Sequence, residues 1–216
     1  MLHNILDVIL HLDKHLADWS AQLGPSLYAV LFAVVFCETG LVVTPFLPGD
    51  SLLFAVGALA AIPDSGLDIY TICGLLVLAA ILGDSLNYKL GTVFGERALA
   101  GRYRFISASH LQRTQDFFVR YGRRAVVIAR FAPILRTFAP FVAGMGRMPY
   151  RNFLFSNVLG AVVWVVGFCA AGFAFGNIPA VKTNFHIVIF AIIGVSLLPA
   201  IIETIRARSS QGRTAA

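Results

Sequence analysis

Five ionisable residues lie inside stretches that are otherwise apolar: Glu38, Asp50, Asp84, Arg130 and Arg136. A charge at the centre of a bilayer costs about 2.5 kcal/mol or more, so each of these groups requires a partner or a water-filled cavity. Arginine stays protonated at any relevant pH, and its planar fork of donors suits phosphate and carboxylate. A carboxylate in a cavity that opens first to one side and then to the other can carry a proton. These residues therefore predict anion binding by the arginines and proton exchange by Glu38 and Asp50. Alternatively, the acids and arginines neutralise one another and only hold the two hairpins together.

The composition is that of a membrane protein. Of the 216 residues, 58% are hydrophobic and 13% are charged, whereas about a quarter of the residues in an ordinary soluble domain are charged. The mean hydropathy is +0.79. A chain of this length has room for one compact domain with a few spans, which excludes a multi-domain enzyme and a channel of many helices.

The basic residues are concentrated in the connections between apolar segments. The net charge is +6, and residues 94–124 contain seven arginines against two acids, Glu96 and Asp116. Lysine and arginine resist translocation and are attracted to anionic lipid, so basic loops mark the cytoplasmic side of a membrane protein. We therefore predict a multi-pass protein in which residues 94–124 and the C-terminus are cytoplasmic, and we expect no nucleic-acid partner.

Three apolar segments have the length of transmembrane helices. Residues 152–181 and 185–202 contain no charge, and each is long enough to cross a hydrocarbon core of about 30 Å. Residues 69–93 are apolar up to Gly83, after which Asp84 and Lys89 interrupt them. We interpret this third segment as a span whose cytoplasmic half carries polar residues.

Two other apolar regions are too broken to span, and each predicts a re-entrant hairpin. The residues at which their backbone would break are Pro45, Pro48, Gly49, Pro133 and Pro140. Arms of about a dozen residues reach about the middle of the bilayer at about 1.5 Å per residue. Irregular backbone at that depth is tolerated only where protein or water surrounds it. We therefore expect the two tips to face each other across a shared cavity.

The same order of elements occurs twice. An amphipathic segment precedes each hairpin, at 5–23 and at 107–121, and a span follows each hairpin. The loop at 62–68 holds acids and no base, whereas arginines flank the second hairpin, so the hairpins should enter from opposite sides. The predicted fold is an all-α polytopic membrane protein with an inverted repeat of amphipathic helix, re-entrant hairpin and transmembrane helix, plus a C-terminal transmembrane helix. Alternatively, the repeat is an accident of hydropathy, because the two copies show no residue-by-residue identity.

The domain organisation follows from this order. We predict one membrane domain over 1–208, with repeats at 1–93 and 105–181 and a last span at 185–204, followed by a cytoplasmic tail at 209–216. Close helix packing, within the chain or in a homo-oligomer, is allowed by four glycines of the span at 152–181. They are Gly160, Gly167, Gly172 and Gly176.

Three motifs resemble those of a known family, and they occur in order across residues 38–144. They are Glu38 with Thr44-Pro45-Phe46-Leu47-Pro48-Gly49-Asp50, Gly83-Asp84 with Tyr88 and Gly91, and Arg130-Phe131-Ala132-Pro133 with Arg136, Pro140 and Gly144. In these motifs the chain resembles the DedA family of membrane proteins, also described by its SNARE-associated or VTT domain. The resemblance implies a bacterial cytoplasmic (inner) membrane protein with two facing re-entrant hairpins.

The resemblance also implies a function. Family members look like lipid transporters and scramblases, and bacterial members are implicated in returning undecaprenyl phosphate across the cytoplasmic membrane in dependence on the proton motive force. The expected partners are membrane lipid, an anionic polyprenyl-phosphate or phospholipid substrate, and protons, and no cofactor is expected. The expected proton-coupling residues are Glu38, Asp50 and Asp84. The expected substrate-binding residues are Arg130, Arg136 and Tyr88.

Two other functions stay open on the sequence: a proton-coupled transporter of a small soluble ion or metabolite, and a non-transporting protein of membrane integrity. An enzyme is not expected, because the chain has neither the histidine cluster of lipid phosphate phosphatases nor the Gly-x-Ser-x-Gly of intramembrane serine proteases. The three cysteines lack a metal-binding spacing. His11 and His15 stand four residues apart, but a solvated helix face explains them, and no metal site is predicted.

Overall fold

The computed structural model describes residues 24–41, 49–63, 65–99 and 133–175, with single positions within 122–130 and 178–181. Every regular element in these ranges is an α-helix. The helices are α1 (Ser26–Gly40), α2 (Gly49–Ala60), α3 (Ile69–Leu99), α4 (Pro133–Met145) and α5 (Tyr150–Phe175). The predicted all-α class is confirmed.

Two of these helices are long and apolar enough to cross a membrane. They are Ile69–Gly95 within α3 and the whole of α5, and they correspond to the predicted spans at 69–93 and 152–181. The helices α1, α2 and α4 have 15, 12 and 13 residues. At about 1.5 Å per residue they are about 18 to 23 Å long, which is shorter than a hydrocarbon core of about 30 Å.

The long helix α3 lies at the centre of the described fold. It packs against α1, α4 and α5, and α5 also packs against α2. The core between these helices is aliphatic, and its fully buried side chains include Leu31 of α1, Leu53 of α2, Leu76 of α3 and Val165 of α5. The ends of α1, α2 and α4 are therefore held against two long helices.

Glycines set the closest helix contacts. A methyl group at Gly40 would lie 3.3 Å from the Cα atom of Gly83, where α1 crosses α3, and one at Gly172 would overlap the carbonyl group of Phe54, where α5 crosses α2. Small residues let helix backbones approach closely, and such packing is a main source of helix association in lipid. Gly160 contacts a side chain of the same chain, so Gly160 and Gly172 both serve packing within the protein.

One helix extends beyond its predicted span, and one predicted helix end is wrong. The helix α3 continues to Leu99, so the connection predicted at 94–124 begins as helix, with Arg97 in the last turn, where a positive charge complements the helix dipole. The helix α5 ends at Phe175, and Ile178 lies in a bend. The residue after that bend position is Pro179, and a proline disfavours the helical conformation of the residue before it.

The break of the second predicted hairpin is also corrected. Pro133 is the first residue of α4, where its missing N–H costs no helical hydrogen bond, but Pro140, predicted as a break, lies inside the helix. The loss is confined to one bond, the one to the carbonyl of Arg136. Neighbouring helices compensate for such a loss in a membrane, and α3 packs along α4 here. Gly49, predicted as part of the first break, is the first residue of α2.

The start of α3 is fixed by a capping carboxylate. The backbone N–H of Thr71 donates to Oδ2 of Asp68 at 2.6 Å, and the N–H of Asp68 donates to the hydroxyl of Tyr28 at 2.8 Å. The hydrogen bonds from Thr71 lower the pKa of the Asp68 carboxyl. The Asp68 side chain caps α3, and the hydrogen bond from its N–H to Tyr28 attaches this start of the helix to α1.

Several sequence-based predictions fall outside the described residues. They are the amphipathic segments at 5–23 and 107–121, the last span at 185–204, the tail at 209–216, and the breaks at Pro45 and Pro48.

Candidate functional site

Arg136 joins two carboxylates from two different helices. Its Nη2 donates to Oε1 of Glu38 at 2.6 Å, and its Nη1 donates to Oδ1 of Asp50. Glu38 lies near the end of α1, and Asp50 is the second residue of α2. The side chain of Glu38 is 2% exposed, and those of Arg136 and Asp50 are 11% exposed. One guanidinium on α4 therefore holds the two ends on either side of the α1–α2 connection.

Arg130 makes a second, similar pair. Its Nη1 donates to Oδ2 of Asp84 on α3 at 2.6 Å and to Oδ1 of Asn157 on α5 at 2.8 Å. The amide of Asn157 in turn donates to the backbone carbonyl of Ile81 at 3.1 Å. Arg130 lies in a turn before α4, and its side chain and that of Asp84 are both 7% exposed. This pair connects the segment before α4 to both long helices.

Trp164 of α5 lies between the two arginines. The centroid of its ring is 5.0 Å from Cζ of Arg136 and 5.7 Å from Cζ of Arg130. Its indole Nε1–H donates to Oδ1 of Asp50 at 2.7 Å. The indole therefore offers a π-face to two cations and a donor to an acid. It also brings the two ion-pair groups together into one site.

Asn87 attaches α3 to the helices that carry Glu38 and Arg136. Its Nδ2 donates to the backbone carbonyl of Thr39 on α1 at 3.1 Å and to that of Thr137 on α4 at 2.8 Å. Thr39 and Thr137 adjoin Glu38 and Arg136 in sequence. This amide therefore fixes the backbone beside the ion pair from both sides.

Charges in the described part of the site do not balance. Three acids face two arginines, and Oε2 of Glu38 is buried without a hydrogen-bond partner in the described structure. An ion group with a surplus carboxylate is costly to bury. Binding of a proton or another cation would neutralise this surplus negative charge.

The space at the centre of the site is small. A cavity of about 10 Å³ lies between the two arginines, and this is about the space that one water requires. It is lined by Glu38, Thr39, Asp84, Arg130, Arg136, Thr137 and Trp164. The conformation described is therefore closed, and the polar groups bind one another.

Tyr88 does not join this site through any contact in the described structure. It lies one helical turn after Asp84, but its hydroxyl donates to the backbone carbonyl of Met148, and its ring stacks on Phe153 with centroids 4.5 Å apart. The contacts give it a packing role at the turn between α4 and α5. Its predicted role in substrate binding stays a prediction.

Sequence reasoning missed the uncharged members of the site. Trp164, Asn87 and Asn157 are buried polar residues in the middle of spanning helices. A tryptophan in a span usually lies near an interface, so its central position was an available signal. The two asparagines also interrupt apolar runs, although more weakly than a charge does. Across the described ranges, no three His, Cys, Asp or Glu side chains form a metal site, and the expectation of no metal stays a prediction.

Comparison with known proteins gives close relatives. The model of the VTT domain matches residues 47–174. Protein DedA of Escherichia coli K12 is 48% identical over 216 residues, which cover 100% of this chain and 99% of that protein. An uncharacterized membrane protein of Mycobacterium tuberculosis H37Rv is 38% identical over 85% of this chain and 81% of its own length. Inner membrane protein YghB of E. coli K12 is 36% identical over 83% of each chain. No solved structure gives a significant match.

Proposed function

The chain belongs to the VTT-domain family as a DedA family membrane protein, and we propose that it is a transporter that returns undecaprenyl phosphate, or a related anionic lipid, across the cytoplasmic membrane in dependence on the proton motive force. A relative is named as an inner membrane protein, and two helices of this chain have spanning length. The chain is therefore a protein of the bacterial inner membrane. The proposed activity is transport and not catalysis.

The proposal includes two re-entrant hairpins related as an inverted repeat. In support of it, α1, α2 and α4 are apolar helices too short to span. Near their ends they carry Glu38, Asp50 and Arg136, and a long helix follows in each half of the chain. Broken helices that meet near the midplane are the usual way in which such repeats form a substrate site.

The observation that carries the proposal is that one guanidinium binds two carboxylates. The bonds from Arg136 to Glu38 and Asp50 use the same donors that would bind the oxygens of a phosphate monoester. Carboxylates and phosphate therefore compete for Arg136. When Glu38 and Asp50 are protonated they lose their charge, and Arg136 becomes available to a lipid phosphate. When the protons leave, the carboxylates bind Arg136 again and displace the phosphate.

Arg130 supplies a second point of attachment in this mechanism. Its three hydrogen bonds to described residues all use Nη1, so the other edge of the guanidinium can face a phosphate while Asp84 and Asn157 hold it in place. Trp164 contacts the guanidinium groups of both arginines, and it thereby holds both groups beside its ring. Because the cavity is about 10 Å³, a lipid headgroup can enter only after the helices separate.

A second candidate is a proton-coupled transporter of a small soluble ion or metabolite. The observation in its favour is that the charged side chains of the site enclose a cavity with no room for a lipid tail. The two candidates differ in whether the substrate crosses as part of a lipid, so they predict different results in the same assay.

The test is transport by the purified full chain in liposomes. Vesicles carry labelled undecaprenyl phosphate or, in parallel, labelled ordinary phospholipid, with and without an imposed pH gradient. We expect gradient-dependent movement of the polyprenyl phosphate, a large loss of it in Arg136→Lys because lysine has no planar fork, and no loss in Arg151→Lys, an exposed arginine at the start of α5. Absence of lipid movement in the wild type, or full activity in Arg136→Lys, would contradict the proposal.

A further inference from the structure

A second concave site lies on the outer side of α3, and it shares no residue with the cavity between the arginines. It is a groove of about 470 Å³ between α3 and the first residue of α5. Leu86 and Val93 line it, together with Tyr88 and Tyr150, whose ring centroids are 5.4 Å apart. Ser85, Lys89 and Thr92 provide its polar side. A groove of this volume is in the range of sites that hold a small molecule.

The groove opens towards lipid. Its lining residues Leu86 and Val93 are 37 and 38% exposed. Leu82 and Leu90 of the same helix are 45 and 44% exposed. Contact between a row of apolar side chains and water is unfavourable. On a helix of spanning length, such an exposed row therefore faces the hydrocarbon of the bilayer. A water-soluble ligand would not meet this surface, and a ligand from the bilayer would.

Among the described residues, Lys89 is the one charged residue that lines the groove. It makes no ion pair or hydrogen bond with any residue in the described part of the chain. It lies six residues before Gly95, where the apolar stretch of α3 ends. A lysine near the end of a span can extend its ammonium group to the level of the lipid headgroups.

The donors in the groove suit a phosphate. The hydroxyls of Ser85 and Thr92 donate to carbonyls of their own helix, at 2.7 and 3.1 Å. Within the described ranges, the hydroxyl of Tyr150 donates only to Ser85, through a long bond of 3.3 Å, so it can turn to a ligand. Lys89 and Tyr150 are then available to phosphate oxygens, while Leu86, Val93 and the tyrosine rings can cover the glycerol and the upper acyl chain.

We infer that this groove binds the phosphate headgroup of an anionic phospholipid from the surrounding bilayer, with the phosphate on Lys89 and Tyr150. A lysine at the end of a span often extends to the headgroups without binding any one lipid. The concave wall of two tyrosines and the unpaired ammonium distinguish this position from such a lysine. The inference does not depend on the proposed transport, because a bound lipid here need not cross the membrane.

The experiment is native mass spectrometry of the purified full chain. The protein is titrated with phosphatidylglycerol and, separately, with phosphatidylcholine of the same acyl chains, and no gradient is present. The wild type should retain phosphatidylglycerol in preference. Lys89→Gln removes a charge-assisted hydrogen bond to the phosphate, so it should weaken that preference about tenfold. Arg97→Gln removes the same charge from an exposed position of the same helix outside the groove, and it should change little.

Two further variants test the location. Val93→Trp and Leu86→Trp fill the groove and leave the charge unchanged, so both should reduce retention of phosphatidylglycerol. The inference is overturned if the wild type shows no preference, if Lys89→Gln and Arg97→Gln act equally, or if neither tryptophan variant reduces binding. The result of the transport assay does not affect this one, because lipid retention and lipid movement are measured separately.

Discussion

The indole Nε1–H of Trp164 donates to the same oxygen of Asp50, Oδ1, that accepts a hydrogen bond from Arg136. The first donor is neutral and comes from α5, and the second is cationic and comes from α4. A proton or a ligand that changes the state of Asp50 therefore acts on two helices at once. Through this shared acceptor, the ion pairs of Arg136 with Glu38 and Asp50 are connected to the spanning helix α5.

Trp164→Phe should reduce transport about tenfold or more, because a hydrogen bond to a charged group contributes about 1.5 to 3 kcal/mol. Phenylalanine keeps an aromatic face for Arg136, but it removes the indole donor and fills less volume. The measurement is the initial rate of lipid transport in liposomes. Phe155→Leu is the control, because Phe155 is 58% exposed on the same helix. Wild-type rates for Trp164→Phe would show that the shared acceptor has no role in transport.

Glu38→Gln and Asp50→Asn should abolish the response of transport to a pH gradient. Each variant keeps the shape and the hydrogen-bonding capacity of the residue, but it cannot exchange a proton. The rate is measured with and without an imposed gradient, beside binding of the labelled lipid, which the variants can retain. Asp68→Asn, an exposed carboxylate at the start of α3, is the control.

If both variants transport and still respond to the gradient, Glu38 and Asp50 are structural. Asp84, which pairs with Arg130 at 2.6 Å, is then the next candidate for proton coupling.

Gly160→Ala should impair function, whereas Gly167→Ala should not. A methyl group at Gly160 would lie 2.7 Å from Cδ of Arg130, while nothing lies within 4 Å of one at Gly167. Arg130 is held by Asp84 and Asn157, so its side chain cannot move aside without weakening these bonds. The transport rate and the thermal stability in detergent check the pair, and equal behaviour of the two variants would contradict the placement of Arg130.

The orientation of the chain is testable by labelling with an impermeant thiol reagent in intact cells. In a background that lacks Cys37, Cys73 and Cys169, Ser65→Cys in the loop before α3 should be labelled from outside. Ser209→Cys in the C-terminal tail should react only after the cells are opened. Labelling of Ser209→Cys in intact cells would reverse the proposed orientation and, with it, the inverted repeat.

Local sequence alone was enough to find the long helices and the charged residues of the site. The apolar runs that form α3 and α5 can be detected in the sequence because their residues each add to the free energy of transfer into the bilayer. Glu38, Asp50, Asp84, Arg130 and Arg136 stand out because a charge in such a run is costly wherever the helix lies. The need for pairing was therefore fixed before any contact was known.

The partners in each pair were decided only by the tertiary structure. Nothing local to Arg136 indicates that it binds Glu38 and Asp50 together, or that Arg130 takes Asp84. These choices depend on how the helices are rotated and how closely they approach, which close contacts such as that between Gly40 and Gly83 set.

The same reason explains the uncharged residues and the proline that sequence reasoning misjudged. Asn87, Asn157 and Trp164 cost little in an apolar run, so their importance appears only when their hydrogen bonds to other helices are present. Pro140 stays inside α4 because the packed neighbours of a helix, and not its own sequence, determine whether a lost hydrogen bond ends it. Hydropathy acts residue by residue along the chain, whereas pairing and packing depend on residues that are distant in sequence.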